Sequence, residues 1–337
     1  MKRFLLFFYL SLIICLMGCN KEQESSVTKK TQNDNTDIEQ PDNSFDIGDT
    51  SNPDGSKTID EGYISEGFRD SVTDEIIDSG TLLKPIDDKI KGYISFEQNI
   101  SEKKDYRLIV MIDYIQQDFK ANGIEYQSYP FSLEGNESIK IDIELPYPEN
   151  SKEFCYMIVF SPDMTDFFSE GEYVWDNIYE VMQCLSSRFL LSKFDYKEDD
   201  YLFDEALSEK TKDIDLICDL IKNPDIYKIM PTCNSGENIF LVLGDDSIEY
   251  SDTCAVVAFL NWEQVPIKNE EEKYKLVKLK KDKILTYEIT VPEVTQSTPY
   301  QIFIFPSPFM QDEFQYSIGN ATPRTIINKN EKLEDSQ

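Results

Sequence analysis

Ile139-Lys140-Ile141-Asp142-Ile143-Glu144-Leu145 alternates apolar and polar residues without a break and is closed by Pro146. Leu285-Thr286-Tyr287-Glu288-Ile289-Thr290-Val291, 146 positions later, repeats the pattern and is closed by Pro292. A period of two sends successive side chains to opposite faces of a sheet, so each stretch is a half-buried strand, ended by a residue that cannot donate to the ladder. Pro85 and Pro231, Ile143 and Ile289, and Met164 and Met310 keep the same separation. In between it drifts to 148, pairing Ile112 with Leu260, Tyr114 with Trp262, Gln116 with Gln264 and Tyr126 with Tyr274. A drift that later recovers is what loop-length changes between matched strands produce, so the chain reads as two copies of one domain.

Around these strands the runs 108–112 and 255–260, and likewise 156–160 and 302–305, are almost continuously apolar and predict central strands. Residues 93–96 and 239–243 supply an opening strand, and 189–191 and 325–327 a closing one. About seven short strands per copy, separated by turn residues, resemble the immunoglobulin-like β-sandwich. The Cys, Trp, Cys spacing of antibody-type domains is missing, so the resemblance is one of architecture. Two stretches have helical periodicity instead. Residues 173–185 place Val174, Ile178, Val181, Met182 and Leu185 on one face, and 199–221 do so with Phe203, Leu207, Ile214, Ile217 and Leu220. The predicted fold is therefore mainly β, two tandem immunoglobulin-like sandwiches with short inserted and connecting helices.

The 337 residues include 64 acidic and 33 basic side chains, a net charge of −31, and no histidine. That charge argues against nucleic acid as a partner, because binding it needs a basic footprint. The missing histidine excludes Ser-His-Asp and Cys-His catalysis and every His-ligated metal site. Apolar residues at 40% are enough for a core and exclude wholesale disorder.

Lys2 and Arg3 precede an apolar run over 4–17, too short to span a bilayer, that ends in Leu16-Met17-Gly18-Cys19. This quartet resembles the lipobox of bacterial lipoproteins, with Met17 larger than is usual at its place. The resemblance implies cleavage before Cys19, a diacylglycerol thioether on its thiol, and an address on the extracytoplasmic side of the cell membrane. Two acyl chains suffice for durable anchoring. Loss of the two leader cations takes the charge from −31 to −33.

The boundaries read from the sequence are a signal peptide over 1–18, an acidic tether over 19–66, a first repeat over 67–196, a connector helix with the second repeat over 197–330, and a tail over 331–337. From 20 to 62 the large apolar residues are only Val27, Ile38, Phe45, Ile47 and Ile59. Such a stretch cannot offset its ordering entropy, and it reads as a leash of roughly 35–40 Å. Within it Thr50, Asn52, Asp54, Gly55 and Glu61 fall at positions 1, 3, 5, 6 and 12 of an EF-hand-like loop, leaving Asn52, Asp54 and Glu61 as a weak Ca²⁺ candidate. Thr50 at position 1, Pro53 inside the loop and Lys57 at a normally apolar position all weaken it.

Cysteines 155, 184, 218, 233 and 254 match no zinc or CxxC spacing; Cys233 and Cys254 are the nearest couple for a disulfide, with buried apolar roles as the alternative. The site candidates come from a hairpin that both copies share, Asp113-Tyr114-Ile115-Gln116 and Asn261-Trp262-Glu263-Gln264. Tyr114, Gln116, Trp262 and Gln264 at an exposed tip would stack on a sugar or anchor a protein; the competing expectation is that both aromatics cap the sandwich core. The functional expectation is a lipid-anchored, non-enzymatic binding, adhesion or spacer protein facing a protein or glycan. The rival classes are a carboxylate-dependent glycan hydrolase, which needs no histidine, and a transporter-associated solute-binding lipoprotein.

Overall fold

In the computed structural model the described residues are 63–174, 180–193, 204–211, 217–244, 253–267, 272–309 and 320–330. Both opening stretches are strands, within Glu137–Pro146 and Lys283–Thr290. In the first, Ile141, Ile143 and Leu145 are buried while Lys140 and Asp142 are exposed, as a period of two requires.

The first sandwich sets Tyr63–Arg69, Lys89–Asn99, Glu137–Pro146, Phe119–Ala121 and Ile124–Tyr126 in one antiparallel sheet, in that order. Its facing sheet runs Cys184–Leu190, Glu153–Phe160, Lys104–Ile112, with Ser128–Leu133 beside the last. The second sandwich repeats the main pairings with one exchange at an edge: Ser208–Thr211, which comes before the copy's other strands, pairs with Lys283–Thr290 where the first copy has Phe119–Ala121 paired with Glu137–Pro146. Ser208–Thr211, Lys283–Thr290, Asn238–Gly244, Ile217–Asn223 and Ile226–Ile229 face a sheet containing Thr232–Asn234, Thr325–Asn328, Thr298–Pro306, Thr253–Leu260 and Tyr274–Lys278. In both copies the second main strand pairs with the fifth and the third with the sixth, which is immunoglobulin-like connectivity.

Each sandwich has its own core. Ile94, Phe96, Leu108, Val110, Ile141, Tyr156 and Ile158 fill the first, and Leu241, Leu243, Val256, Ala258, Leu285, Ile302 and Ile304 the second. A third cluster takes the other faces of the central strands: Ile109, Met111, Cys155, Met157 and Val159 from one copy pack on Ala255, Val257, Phe259, Phe303 and Phe305 from the other. These strands are covered on both sides, which is why their sequences are continuously apolar where an antiparallel strand with a wet face alternates. The two sandwiches therefore form one unit, spanning Ile59–Gln337.

The structure corrects several expectations. Helix over 199–221 gives way to strands at Ser208–Thr211 and Ile217–Asn223, with 212–216 outside the described residues. Strand pairing to Lys283–Thr290 and Asn238–Gly244 outweighs the local helical period there. Over 173–185 the backbone is helical at 180–182, residues 175–179 lie outside the described set, and Cys184 already begins a strand. The boundary at 66 falls inside the Tyr63–Arg69 strand, which completes the first sheet through pairs from Tyr63↔Asn99 to Arg69↔Tyr93. Tyr274 pairs with Val257 as Ser128 pairs with Ile109, so its structural counterpart is Ser128, not Tyr126. Cys233 and Cys254 are both buried and are not joined in a disulfide. Burial pushes the Cys233 thiol up to about 12. The Leu16–Cys19 quartet that resembles a lipobox and the Ca²⁺ candidate Asn52, Asp54 and Glu61 lie outside the described residues.

Candidate functional site

The shared hairpin is built identically in both copies. Ile112 pairs with Ile115 and Leu260 with Glu263, leaving two-residue loops in which both residues have positive φ: Asp113 at 49° and Tyr114 at 63°, Asn261 at 48° and Trp262 at 68°. This is the type I′ signature, whose hand matches the twist of the strands. Asp and Asn tolerate the left-handed region; a Tyr or Trp there is strained and persists only where its surroundings hold it. Asp113 Oδ1 accepts from the amides of Lys152 (2.9 Å) and Glu153 (2.8 Å), although burial raises its pKa.

What holds the aromatics is the opposite copy. Tyr114 and Trp262 are 1% and 2% exposed. The Tyr114 ring lies 5.4 Å from that of Phe305 and 5.3 Å from that of Phe309. Tyr114, Trp262 and Gln264 are thus buried at the joint of the two copies and not at an exposed tip, where Ile115, Asn261 and Glu263 stand instead. Nor do the aromatics simply cap their own sandwich; each is in the cluster between the two.

The glutamines make the joint reciprocal. The Gln116 amide donates to Gln264 Oε1 and the Gln264 amide to Gln116 Oε1, both at 2.7 Å. Gln116 Nε2 donates to the Trp262 carbonyl (2.9 Å), and Gln264 Nε2 to the Tyr114 carbonyl (2.7 Å). Exchange of the two copies maps these four bonds onto one another, which is the pattern of an isologous two-fold interface, here inside one chain.

Two buried arginines complete it. Arg188 lies opposite Cys155 and donates across the joint to the carbonyls of Pro306 (Nη1, 2.5 Å) and Ser307 (Nη2, 3.0 Å). Arg324, from the second copy, donates to the carbonyls of Phe160 (Nη2, 3.1 Å) and Ser161 (Nη1, 2.7 Å), the corresponding turn of the first. Each guanidinium also lies over the hairpin aromatic of its own copy, 5.6 Å from the Tyr114 centroid and 4.8 Å from the Trp262 centroid. The electrostatics differ. Glu153, 1% exposed, receives Arg188 Nε (2.6 Å), the Tyr114 hydroxyl (2.8 Å) and the Phe309 amide (3.0 Å). Burial works against the Arg188 charge, but Glu153 more than offsets it and holds that guanidinium above its ordinary range. Burial instead pulls Arg324 down to about 9, with the charge of Asp163 acting the other way.

Outside the joint, the edge strand Ile226–Ile229 borders a groove of about 530 Å³. Ile226, Ile229, Met230, Pro224 and Pro231 form its apolar wall, and Lys222 and Lys228 are the charged side chains lining it. Ile226 is 62% exposed. Lys222 pairs with the largely covered Glu237 (2.5 Å), and Lys228 with the exposed Glu172 (3.1 Å), a bridge weak enough to exchange partners. A second recess, about 520 Å³, holds Glu102, Asp105, Asp163 and Glu180 around Lys103 and Lys104. Lys104 sits 2.5 Å from Glu180 and 3.8 Å from Glu102.

The buried carboxylates are committed to structural partners: Glu153 to Arg188, Glu66 to the hydroxyls of Tyr156 and Ser187, Asp219 to the Tyr227 hydroxyl. Sequence reasoning missed Arg188, Arg324 and the groove. A signal for the arginines was present: each copy carries one arginine at the start of an apolar closing strand, in Ser187-Arg188-Phe189-Leu190 and Pro323-Arg324-Thr325-Ile326.

No protein-family model and no curated protein matches the sequence. Among solved structures, the chain is similar to the C-terminal domain of the Streptococcus agalactiae AgI/II polypeptide BspA at 8% identity and TM-score 0.22, over 79% of this chain and 100% of that one. It is also similar to red sea bream transglutaminase at 6% identity and TM-score 0.19, over 80% of this chain. The chain spans only 31% of the length of that enzyme. CBD12 from CALX1.2 is similar at 11% identity and TM-score 0.15, over 66% of this chain and 76% of that one. Likenesses this slight carry no argument about activity, substrate or partner.

Proposed function

We propose that this chain is a lipid-anchored, extracytoplasmic binding protein: two fused sandwiches on an acidic tether, presenting the groove beside Ile226–Ile229 to a protein partner. The observation that carries the binding role is that groove. It joins an apolar wall, exposed at Ile226, to a strand at the end of its sheet, and its lining charges are lysines in a chain of net charge −31. An edge strand offers main-chain hydrogen bonds to an added extended segment, and alternate side chains of that segment would meet the apolar wall. Lysines there favour a segment carrying carboxylates. The same features fit a glycan less well, since no exposed aromatic lines the groove among the described residues. The anchor rests on the Leu16-Met17-Gly18-Cys19 quartet.

The test is a photo-crosslinking amino acid placed at Ile226 in the full-length protein on intact cells. A discrete protein adduct that is lost in Lys222→Glu/Lys228→Glu, and is not formed from the exposed Ile124 of the other copy, supports the reading. No adduct, or the same adduct from both positions, overturns it, and a carbohydrate adduct redirects it to glycan. Mass spectrometry of the mature amino terminus reads the anchor separately: an unmodified terminus removes it.

A further inference from the structure

The two halves of the joint share their backbone pairings and differ in one charge. Arg188 lies opposite Cys155, and Arg324, by continuation of the Tyr300↔Thr325 pair, opposite Gln301. Asp113 N donates to the Glu153 carbonyl as Asn261 N does to that of Pro299, both at 2.9 Å, so Pro299 occupies the place of Glu153. The second copy has therefore kept the arginine and the crossing to its neighbour's carbonyls while having no carboxylate where the first copy has one. Among the described residues two N–H groups of this half have no acceptor: Arg324 Nε and Trp262 Nε1, on side chains 0% and 2% exposed. Their counterparts, Arg188 Nε and the Tyr114 hydroxyl, are the two side-chain donors that converge on Glu153 Oε1. Asp163, whose charge acts on Arg324, is 75% exposed and 3.7 Å from Arg107.

We propose that a small monovalent anion of the halide class binds at the Arg324 and Trp262 half of the joint, where Arg324 Nε and Trp262 Nε1 receive it in place of the missing carboxylate. Buried guanidinium is stable with a counter-charge and costly without one, and a buried N–H without an acceptor carries a full desolvation penalty. A monatomic anion meets both requirements with one acceptor, as Glu153 Oε1 does for the two equivalent donors of the first copy. It would bind the joined, folded chain only, and so stabilise the joint in proportion to its concentration.

Two measurements test this on the wild-type protein. In thermal unfolding at constant ionic strength, with chloride replaced stepwise by methanesulfonate, a saturable chloride-dependent Tm gain of about 2–4 °C is expected. Constant ionic strength removes general screening as a cause. In crystals grown in bromide, an anomalous peak within hydrogen-bond distance of Arg324 Nε is expected. Pro299→Glu, which restores the carboxylate of the first copy, should abolish the chloride dependence; should that variant fail to fold, the wild-type measurements still decide. A Tm indifferent to anion identity, or an Arg324 bridged only by water to Gln301 Oε1, itself without a partner, overturns the proposal. So does a carboxylate of the chain itself seated on Arg324.

Discussion

Arg188 and Arg324 occupy equivalent places in two copies of one sandwich, cross to equivalent carbonyls of the opposite copy, and lie on equivalent hairpin aromatics. Around Arg188 the network is closed: Glu153 takes its charge, and the Tyr114 hydroxyl both donates to Glu153 and accepts from Arg188. Around Arg324 the described residues supply the carbonyl contacts, the ring and the more distant charge of Asp163. The part common to both halves is thus the crossing itself, a side chain of one copy satisfying backbone acceptors of the other, and this is what locks the two sandwiches in one orientation. The carboxylate is an additional element that one copy has and the other lacks. A duplicated interface keeps its geometry because both halves share one packed cluster, while charge is free to differ wherever the local hydrogen-bond balance can be met in another way.

The comparison can be broken most severely at the ring. Trp262→Ala removes a buried indole and the platform for Arg324, and is expected to cost about 4–5 kcal/mol in chemical denaturation. A loss below about 1 kcal/mol would return Trp262 to an exposed tip. Glu153→Gln leaves Arg188 buried without a counter-charge and should cost about 3 kcal/mol, by the same measurement. If it is harmless, the two halves are electrostatically alike and the contrast between them fails. Next come the glutamines: Gln116→Ala and Gln264→Ala should each cost about 1–2 kcal/mol, because each strips acceptors and donors from buried backbone groups. The double variant should cost clearly less than the sum, since both act on one reciprocal set of bonds; additivity would place them in separate environments.

The smallest expected effect is with pH. Burial is the leading cause that raises the carboxyls of Glu66, Asp113 and Asp219 in the folded chain. A carboxyl raised on folding disfavours the folded state above its folded pKa, so stability should rise modestly as pH falls from neutrality toward the ordinary carboxylate range. The exposed Asp87, Glu144 and Glu209 are lowered, chiefly by lysine hydrogen bonds. Their contribution is lost once pH falls below that range. A Tm profile with its maximum on the mildly acid side of neutrality is expected, and one that falls monotonically from pH 7 would contradict it.

Much of this architecture was legible in residue order. The alternation over 139–145 and 285–291, the continuous runs and the offset of 146 all correspond to observed strands and to their duplication. The continuous runs also imply burial on both faces. An antiparallel strand with no polar face has both faces covered, and Ile109, Met111, Val257 and Phe259 are the residues that cover each other. The helical period over 199–221 misled because periodicity is a local preference, whereas Ser208–Thr211 and Ile217–Asn223 are held by pairing with strands far along the chain. The polar, turn-prone context of Tyr114 and Trp262 correctly marked a hairpin and wrongly suggested an exposed one, since a type I′ turn looks the same at a surface and at an interface.

Order of residues alone determined the strands, their duplication, the acidic charge and the exclusion of histidine chemistry, because side-chain period, spacing and composition are properties of the chain itself. Only the tertiary structure decided that the two copies close on each other, that Gln116 and Gln264 clasp, and that Arg188 has a carboxylate where Arg324 has none. A strand specifies which of its faces is apolar; what covers that face comes from residues about 150 positions away, and only folding brings them together.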